Sequence, residues 1–337
     1  MRRIISLFAL SLSLVLGAAQ QQLRAQTEIS TVLVLPVASL SYAAPWIMED
    51  AGIYKQLGLK VETRLLVGVA ANNAVINGSA DFMLGTAATA LIGASKGQPM
   101  LMLANMVDRP GAEIVLRKDV ADAAGIKEDA PLADRLKVLK GKTIGVAGIG
   151  SANHAFLKLM AHKGGLDSEK DFTVAIVDAG AMMGAMAAKR IDGFSNSPPF
   201  STEAAVKMDG MILASAGRDD VLDYLPLGQT VLMAMPATCQ KQSDKCARMT
   251  EAYRLAAQFV KDKPAETLEI IKKRNERMDP AVLVKAWDAV SKTFTTDLRV
   301  TTQMLDNGQR YSTNAGLLQP DETIKDFKGL FTDEFLK

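Results

Sequence analysis

The chain alternates between two hydrophobic rhythms. Thr31-Val-Leu-Val-Leu35 is a short, nearly continuous apolar run that reads as a strand, and the small-residue turn Ala38-Ser-Leu-Ser-Tyr42 follows it. Residues 45–56 carry helical spacing and stop before Gly58, after which 59–66 read as a second strand. A helix over 70–77 ends at Gly78, and Asp81-Phe-Met-Leu84 is a third, shorter strand. Met100-Leu-Met-Leu-Ala104 and Glu113-Ile-Val-Leu-Arg117 are also strand-like and bracket the turn Asn105-Met-Val-Asp-Arg-Pro-Gly111. Strands alternating with helices imply βαβ units and a mainly parallel sheet. From Ser243 onward the pattern is almost entirely helical, with Asp279-Pro280 as an N-cap and first helical residue, and Gly316 as a C-cap.

The pattern occurs twice. Thr143-Ile-Gly-Val146 matches Thr31-Val-Leu-Val34 at an offset of 112. Val177-Asp-Ala-Gly180 matches Leu66-Val-Gly-Val69, and Lys189-Arg-Ile-Asp192 matches Gly78-Ser-Ala-Asp81, both at an offset of 111. A strand beyond the second copy, Thr230-Val-Leu-Met-Ala-Met235, returns the chain to the first. The expected organisation is therefore two lobes: residues 27–113 plus 230–337 form lobe 1, and residues 114–229 form lobe 2, inserted into it. The lobes would hinge near 112–117 and 228–232.

The N-terminus changes the setting. Arg2 and Arg3 precede an apolar run over 4–17 that is too short to span a bilayer, and Gly17 and Ala19 supply the small residues of a signal-peptidase site. Residues 1–19 read as a signal peptide, with a second cut site after Ala25. The mature protein is then expected to be exported to the periplasm. Removing residues 1–19 lowers the basic residues from 39 to 37, level with the 37 acidic ones. A balanced chain without a basic stripe is not built for nucleic acid. Cys239 and Cys246 are the only cysteines, and in an oxidising compartment a pair so close in sequence reads as a local disulfide. With only two histidines, His154 and His162, at unrelated positions, no metal-ligand spacing is present.

One loop invites a specific chemistry. Gly148-Ile-Gly-Ser-Ala-Asn153 lies between a strand and a helix, in the manner of a dinucleotide-binding turn. It has Asn where the third glycine belongs, and Asp178 lies thirty residues after Gly148 rather than about twenty. Export also removes the protein from nicotinamide and flavin dinucleotides, and no cofactor is expected. What survives is a helix start at Ser151, Ala152 and Asn153, with unpaired N–H groups and the positive end of the helix dipole, suited to an anion or a carbonyl oxygen.

Three segments carry a family resemblance: Asn77-Gly-Ser-Ala-Asp-Phe-Met-Leu-Gly-Thr86, Gly141-Lys-Thr-Ile-Gly-Val-Ala-Gly-Ile-Gly-Ser-Ala-Asn-His154 and Ile191-Asp-Gly-Phe-Ser-Asn-Ser-Pro-Pro199. With them the chain resembles the type II periplasmic solute-binding proteins that serve ABC importers of nitrate, alkanesulfonates, taurine and thiamine-pyrimidine precursors. The resemblance implies a two-lobed α/β fold, each lobe a mainly parallel sheet with flanking helices, and a ligand cleft between the lobes. It also implies a monomer that captures a small polar or anionic organic solute by hinge closure and presents it to an ABC permease in the inner membrane.

Carried over position by position, the resemblance places ligand contacts at Ser41, Tyr42, Val69, Ala70, Thr86, Ala87, Thr89 and Asn105 in the first lobe. In the second it places them at Ser151, Ala152, Asn153, His154, Ala179 and Phe194. Members of the family often carry Trp at the position of Phe194, so the wall here is less aromatic. Arg109 is a candidate anion clamp, since its guanidinium fork matches a sulfonate or carboxylate. Met182, Met183 and Met186 stand at helical spacing and are expected in the lobe core.

The same fold hosts enzymes, such as a thiamine-pyrimidine synthase and chorismate-processing proteins, and that is the alternative reading. No Gly-x-Ser-x-Gly motif, histidine cluster or cysteine-rich run is present to support it. The protein is expected not to be an enzyme.

Overall fold

A computed structural model describes residues 28–66, 69–218 and 220–336. The expected signal peptide lies outside the described residues. Among the described residues, ten strands form two five-stranded sheets. Sheet one has the order β2-β1-β3-β10-β4. Its strands are β1 (Ile29–Leu35), β2 (Leu59–Leu65), β3 (Phe82–Gly85), β4 (Leu101–Asn105) and β10 (Val231–Ala234). Sheet two has the order β7-β6-β8-β5-β9. It contains β5 (Glu113–Leu116), β6 (Thr143–Val146), β7 (Thr173–Ile176), β8 (Gly193–Asn196) and β9 (Met211–Ser215). In each sheet one strand, β10 or β5, runs antiparallel to both of its neighbours. The two sheets thus share one plan, and the strand order places β10 in the first sheet although it follows β9 in sequence.

The register makes the repeat exact to a residue and corrects its offset. Leu33 pairs with Phe82 in sheet one, and Ile144 pairs with Gly193 in sheet two. Both members of the second pair lie 111 positions beyond the first, so the strand match at 112 is one residue out of step. The sequence comparison was misled because Thr31 and Thr143 look alike, whereas pairing aligns Val32 with Thr143.

The helices are α1 (Ala44–Asp50), α2 (Ile53–Gln56), α3 (Val69–Ile76), α4 (Ala87–Ser95), α5 (Lys118–Ala123), α6 (Leu132–Leu136), α7 (Ala152–Lys163), α8 (Met182–Ala187) and α9 (Phe200–Lys207). The C-terminal part adds α10 (Pro236–Lys241), α11 (Ser243–Asp262), α12 (Pro264–Arg274), α13 (Pro280–Ser291) and α14 (Thr302–Asn314). The single helix expected over 45–56 is broken at Gly52, which takes φ +72 between α1 and α2. Asp279 caps α13 by accepting the N–H groups of Ala281 and Val282.

Strand alternation sends side chains into cores on both faces of each sheet. Leu33, Leu35, Phe82 and Leu84 pack with α1, α11, α12 and α13. Val34, Met83, Val231 and Met233 pack on the other side with α3 and α4. In sheet two, Ile144, Val146 and Ile114 meet Phe156 and Met160 of α7, whereas Val115 and Phe194 meet Met182 and Met186. Cys239 and Cys246 form a disulfide, Cα–Cα 5.6 Å, joining α10 to α11.

Two sequence expectations change. The chain is not helical to its end: Gly316 takes φ +66 after α14. The remaining segment runs back beside β4, where Leu330 O accepts the Met102 N–H at 2.8 Å and Phe327 and Leu330 enter the core. In addition, α14 serves both cores. Leu305 packs with the first sheet, while Tyr311 and Ala315 pack with the second. A long helix can do this because its buried face, Met304, Leu305, Asn307, Gly308, Tyr311 and Ser312, recurs every three to four positions along its 13 residues.

One crossing runs earlier than expected, because residues 113–116 already lie inside sheet two as β5, while the other, near 228–230, falls within the expected span. The segments that pass between the sheets are bonded to each other, with Leu227 N–H to Asp108 O at 2.7 Å, Gln229 N–H to Val107 O at 2.9 Å and Met106 N–H to Thr230 O at 3.0 Å.

Candidate functional site

The carboxyl ends of parallel strands leave backbone groups and loop side chains open, and ligands of open α/β sheets collect there. In this chain β1, β2, β3, β6, β7 and β8 each end in such a loop. Gly111, in the crossing segment, lies close to loops of both sheets. A Cβ placed on Gly111 would stand 2.9 Å from Ser41 Oγ and 3.9 Å from Ser197 Oγ. Ser41 follows β1 and Ser197 follows β8, so the missing side chain at Gly111 lets a hydroxyl from each sheet approach the crossing segment.

On the second sheet the loops are tied by a polar network. Asn153 Nδ2 donates to Asn196 Oδ1 at 3.1 Å, and Ser197 Oγ donates to Asn153 Oδ1 at 3.2 Å. Ser195 Oγ donates to the Asn153 carbonyl at 2.8 Å, and the Ser197 N–H donates to Asn196 Oδ1 at 2.8 Å. These bonds fix the first turn of α7 against the end of β8. Ser151 is the N-cap of α7, its Oγ accepting the His154 N–H at 3.2 Å. His154 is buried, and its Nδ1 accepts the Gly150 N–H at 3.0 Å. An acceptor nitrogen carries no proton, so the imidazole is neutral with its hydrogen on Nε2. Burial, with the nearby Lys158 charge, holds its pKa below the usual histidine value. His154 therefore acts as an internal acceptor in this arrangement and not as a cationic donor.

On the first sheet, Thr86 is the N-cap of α4. Its Oγ1 accepts the Thr89 N–H at 3.1 Å and lies 3.0 Å from Thr89 Oγ1. Ala87 is buried, and its N–H donates to Gly228 O at 2.8 Å. Ser41 and Tyr42 sit in a buried 3-10 turn, with Thr230 Oγ1 donating to Ser41 O at 3.0 Å and Tyr42 Oη donating to Gln229 O at 3.4 Å. Val69 and Ala70 are exposed at the start of α3, and Ala179 is half-buried in the turn after β7.

The family model called the NMT1-like family matches residues 28–273. The chain belongs to the NMT1-like family. Among solved structures, a protein from Bordetella bronchiseptica RB50 is 21% identical, with a TM-score of 0.74 over 91% of this chain and 95% of its own. The alkanesulfonate-binding protein SsuA from Xanthomonas axonopodis pv. citri, bound to MOPS, is 14% identical, with a TM-score of 0.66 over 88% of this chain and 96% of its own. The periplasmic nitrate-binding protein NrtA from Synechocystis PCC 6803 is 16% identical, with a TM-score of 0.65 over 88% and 84%. No curated protein matches the sequence. The fold is that of the periplasmic binding proteins, as the sequence resemblance implied.

Two of the expected contact residues are fully buried. Phe194 has no exposed surface and packs in the core of the second sheet with Val115, Met182 and Met186. At an offset of 111 its counterpart is Met83, a core residue of the first sheet, and strand alternation turns both inward. Asn105 is also fully buried: its Nδ2 lies 4.0 Å from Met304 Sδ, and its Oδ1 has no partner among the described residues. Arg109, the candidate anion clamp, is half-buried, with Nε donating to Asp108 Oδ1 at 3.3 Å.

Residue-by-residue transfer missed Ser197, Asn196 and Gly111. Ser197 lies 111 positions after Thr86, and applying the repeat to a residue already chosen would have found it. Among the described residues, no group of three or more His, Cys, Asp or Glu side chains could hold a metal ion, and no helix is long and apolar enough to cross a membrane.

Proposed function

We propose that the chain is the exported, periplasmic solute-binding component of an ABC importer, which captures a small organic solute between its two sheets and presents it to a permease. The observation that carries this reading is the meeting of Ser41 and Ser197 at Gly111. Hydroxyls from the loops of two similar sheets flank one crossing segment, so closure brings both sets of loops onto one guest. Membership of the NMT1-like family supports it, as does the likeness to proteins that bind sulfonates and nitrate. In this reading the contacts are Ser41, Val69, Ala70, Thr86 and Thr89 from the first sheet, and Ser151, Ala152, Asn153, Asn196 and Ser197 from the second. The bonded ribbon of 106–108 with 227–230 bends, and α14, seated in both cores, limits the opening.

A thermal-shift screen of small solutes on protein recovered from the periplasm tests it, followed by small-angle scattering with any hit. A solute at a hundred times its Kd adds about 2.7 kcal/mol to stability, so the melting temperature rises clearly. The expected result is that rise together with a smaller radius of gyration. If no solute stabilises the protein, the reading is wrong.

A further inference from the structure

Eight large apolar side chains are exposed among the described residues, and five of them belong to the loop ends of the two sheets. Leu65 and Ile176 close β2 and β7, Val37 and Ile149 follow β1 and β6, and Val69 opens α3. Leu65 and Ile176 are 56% and 67% exposed, and they stand 111 positions apart, at equivalent places in the two sheets. Exposed apolar groups of this size are usually scattered singly; concentration at one feature marks a binding surface.

The charges of the same loops are equally one-sided. No Lys or Arg occurs in 35–44, 65–70, 85–89, 146–153, 176–183 or 195–200. The one ionised side chain there is Asp178, which is exposed and does not cap the turn that follows it. The cation nearest in sequence, Arg64, bonds Glu62, and Arg109 of the crossing segment bonds Asp108.

The helix starts, which bind anions through bare N–H groups, are partly answered from within. Ala87 donates to Gly228 O, and Thr89 to Thr86 Oγ1. Gly150 donates to His154 Nδ1, and His154 to Ser151 Oγ. At α7 this leaves the N–H groups of Ala152 and Asn153, a suitable pair for one carbonyl or hydroxyl oxygen. An oxyanion entering these loops would meet no positive side chain on them and one carboxylate, while Arg109 of the crossing segment is engaged by Asp108.

We infer that the solute is an organic molecule with an apolar body and no net negative charge, its polar end at the start of α7 and its body against Leu65 and Ile176. This rests on the solute-binding reading above and narrows it away from nitrate, taurine and sulfonates.

A matched panel separates the two levels: hexanamide, hexylammonium and hexane-1-sulfonate, with nitrate, taurine and a metabolite collection sorted by net charge. Stabilisation is measured by thermal shift and affinity by calorimetry. The expected hits are neutral or cationic with an apolar body. Against such a hit, Leu65→Ser and Ile176→Ser each lower affinity roughly tenfold, the cost of losing one buried aliphatic side chain. Asp178→Lys weakens a cationic hit and improves hexane-1-sulfonate. Hits confined to anions, or affinity unmoved by both serine variants, overturn this inference and leave the solute-binding reading standing. A protein that no compound stabilises overturns both.

Discussion

Asp81 and Asp192 do the same work 111 residues apart. The Asp81 carboxylate accepts the Val32 N–H at 2.9 Å, and the Asp192 carboxylate accepts the Thr143 N–H at 2.8 Å. The two backbones answer in kind, with Asp81 N–H to Val32 O at 3.0 Å and Asp192 N–H to Thr143 O at 2.8 Å. Asp81 thus pins the start of β3 to β1, and Asp192 the start of β8 to β6. Asp81 additionally takes the Thr31 hydroxyl at 3.0 Å and the Lys245 ammonium at 2.8 Å. Lys245 is buried, and the Asp81 carboxylate is its ion-pair partner there.

Removing either carboxylate leaves a backbone N–H without its acceptor, at a cost of about 1–3 kcal/mol. Asp81→Ala is expected to cost more than Asp192→Ala, because it also strands a buried ammonium. Urea denaturation followed by circular dichroism gives both values. Equal losses would show that Lys245 finds water or another partner.

His154 makes stability depend on acidity. Its folded pKa lies below the ordinary value of about 6.5, so on acidification the unfolded chain takes up the proton first. The neutral imidazole's contribution is complete above that value and declines as pH falls below it toward the folded pKa. His154→Gln offers the Gly150 N–H an uncharged partner. The variant's melting temperature is expected to fall less steeply than that of the parent between pH 7 and pH 5, about the span over which a free histidine titrates. Parallel curves would show that another group carries the dependence.

Glu113 acts in the opposite sense. It begins β5, directly beside the crossing segment, and accepts the Ser215 hydroxyl at 2.7 Å. Burial raises its pKa, while the hydroxyls of Ser201 and Ser215 pull it down less strongly. Folding therefore shifts this carboxyl toward its protonated form. This contribution is present below the unfolded value of about 4.3 and is lost as pH rises through the folded one. Glu113→Gln keeps a neutral group of the same shape. It is expected to raise the melting temperature at pH 7–8 and leave it unchanged near pH 4, about where the unfolded carboxyl titrates. Destabilisation at pH 7 would mean that the carboxylate, not the acid, is the native form.

Much of the local structure was legible in the residues. The strands β1, β2 and β3, the caps Ser151 and Asp279, the Gly316 stop and the Cys239–Cys246 bridge follow from period, capping chemistry and short separation, all of which act over a few positions. The repeat was legible too, at 111 for two of its three segments. The break at Gly52 was not, because helical spacing continues on either side of it and only the left-handed φ of that residue ends α1.

Loop membership was legible and side-chain direction was not. Ser151 and Thr86 could be placed at helix starts from sequence, but the inward turn of Phe194 depends on the register of β8 against β6. The approach of Ser41 and Ser197 to Gly111 joins residues far apart in the chain, and no periodicity reports such a meeting. The reach of α14 into both cores is likewise decided by which surfaces lie against its buried face. The sequence by itself determined the element types, the two-fold repetition and the family. Tertiary structure alone decided the register, the path of the crossing segments and which loop residues remain exposed, because those depend on contacts between segments whose mutual approach only the folded chain creates.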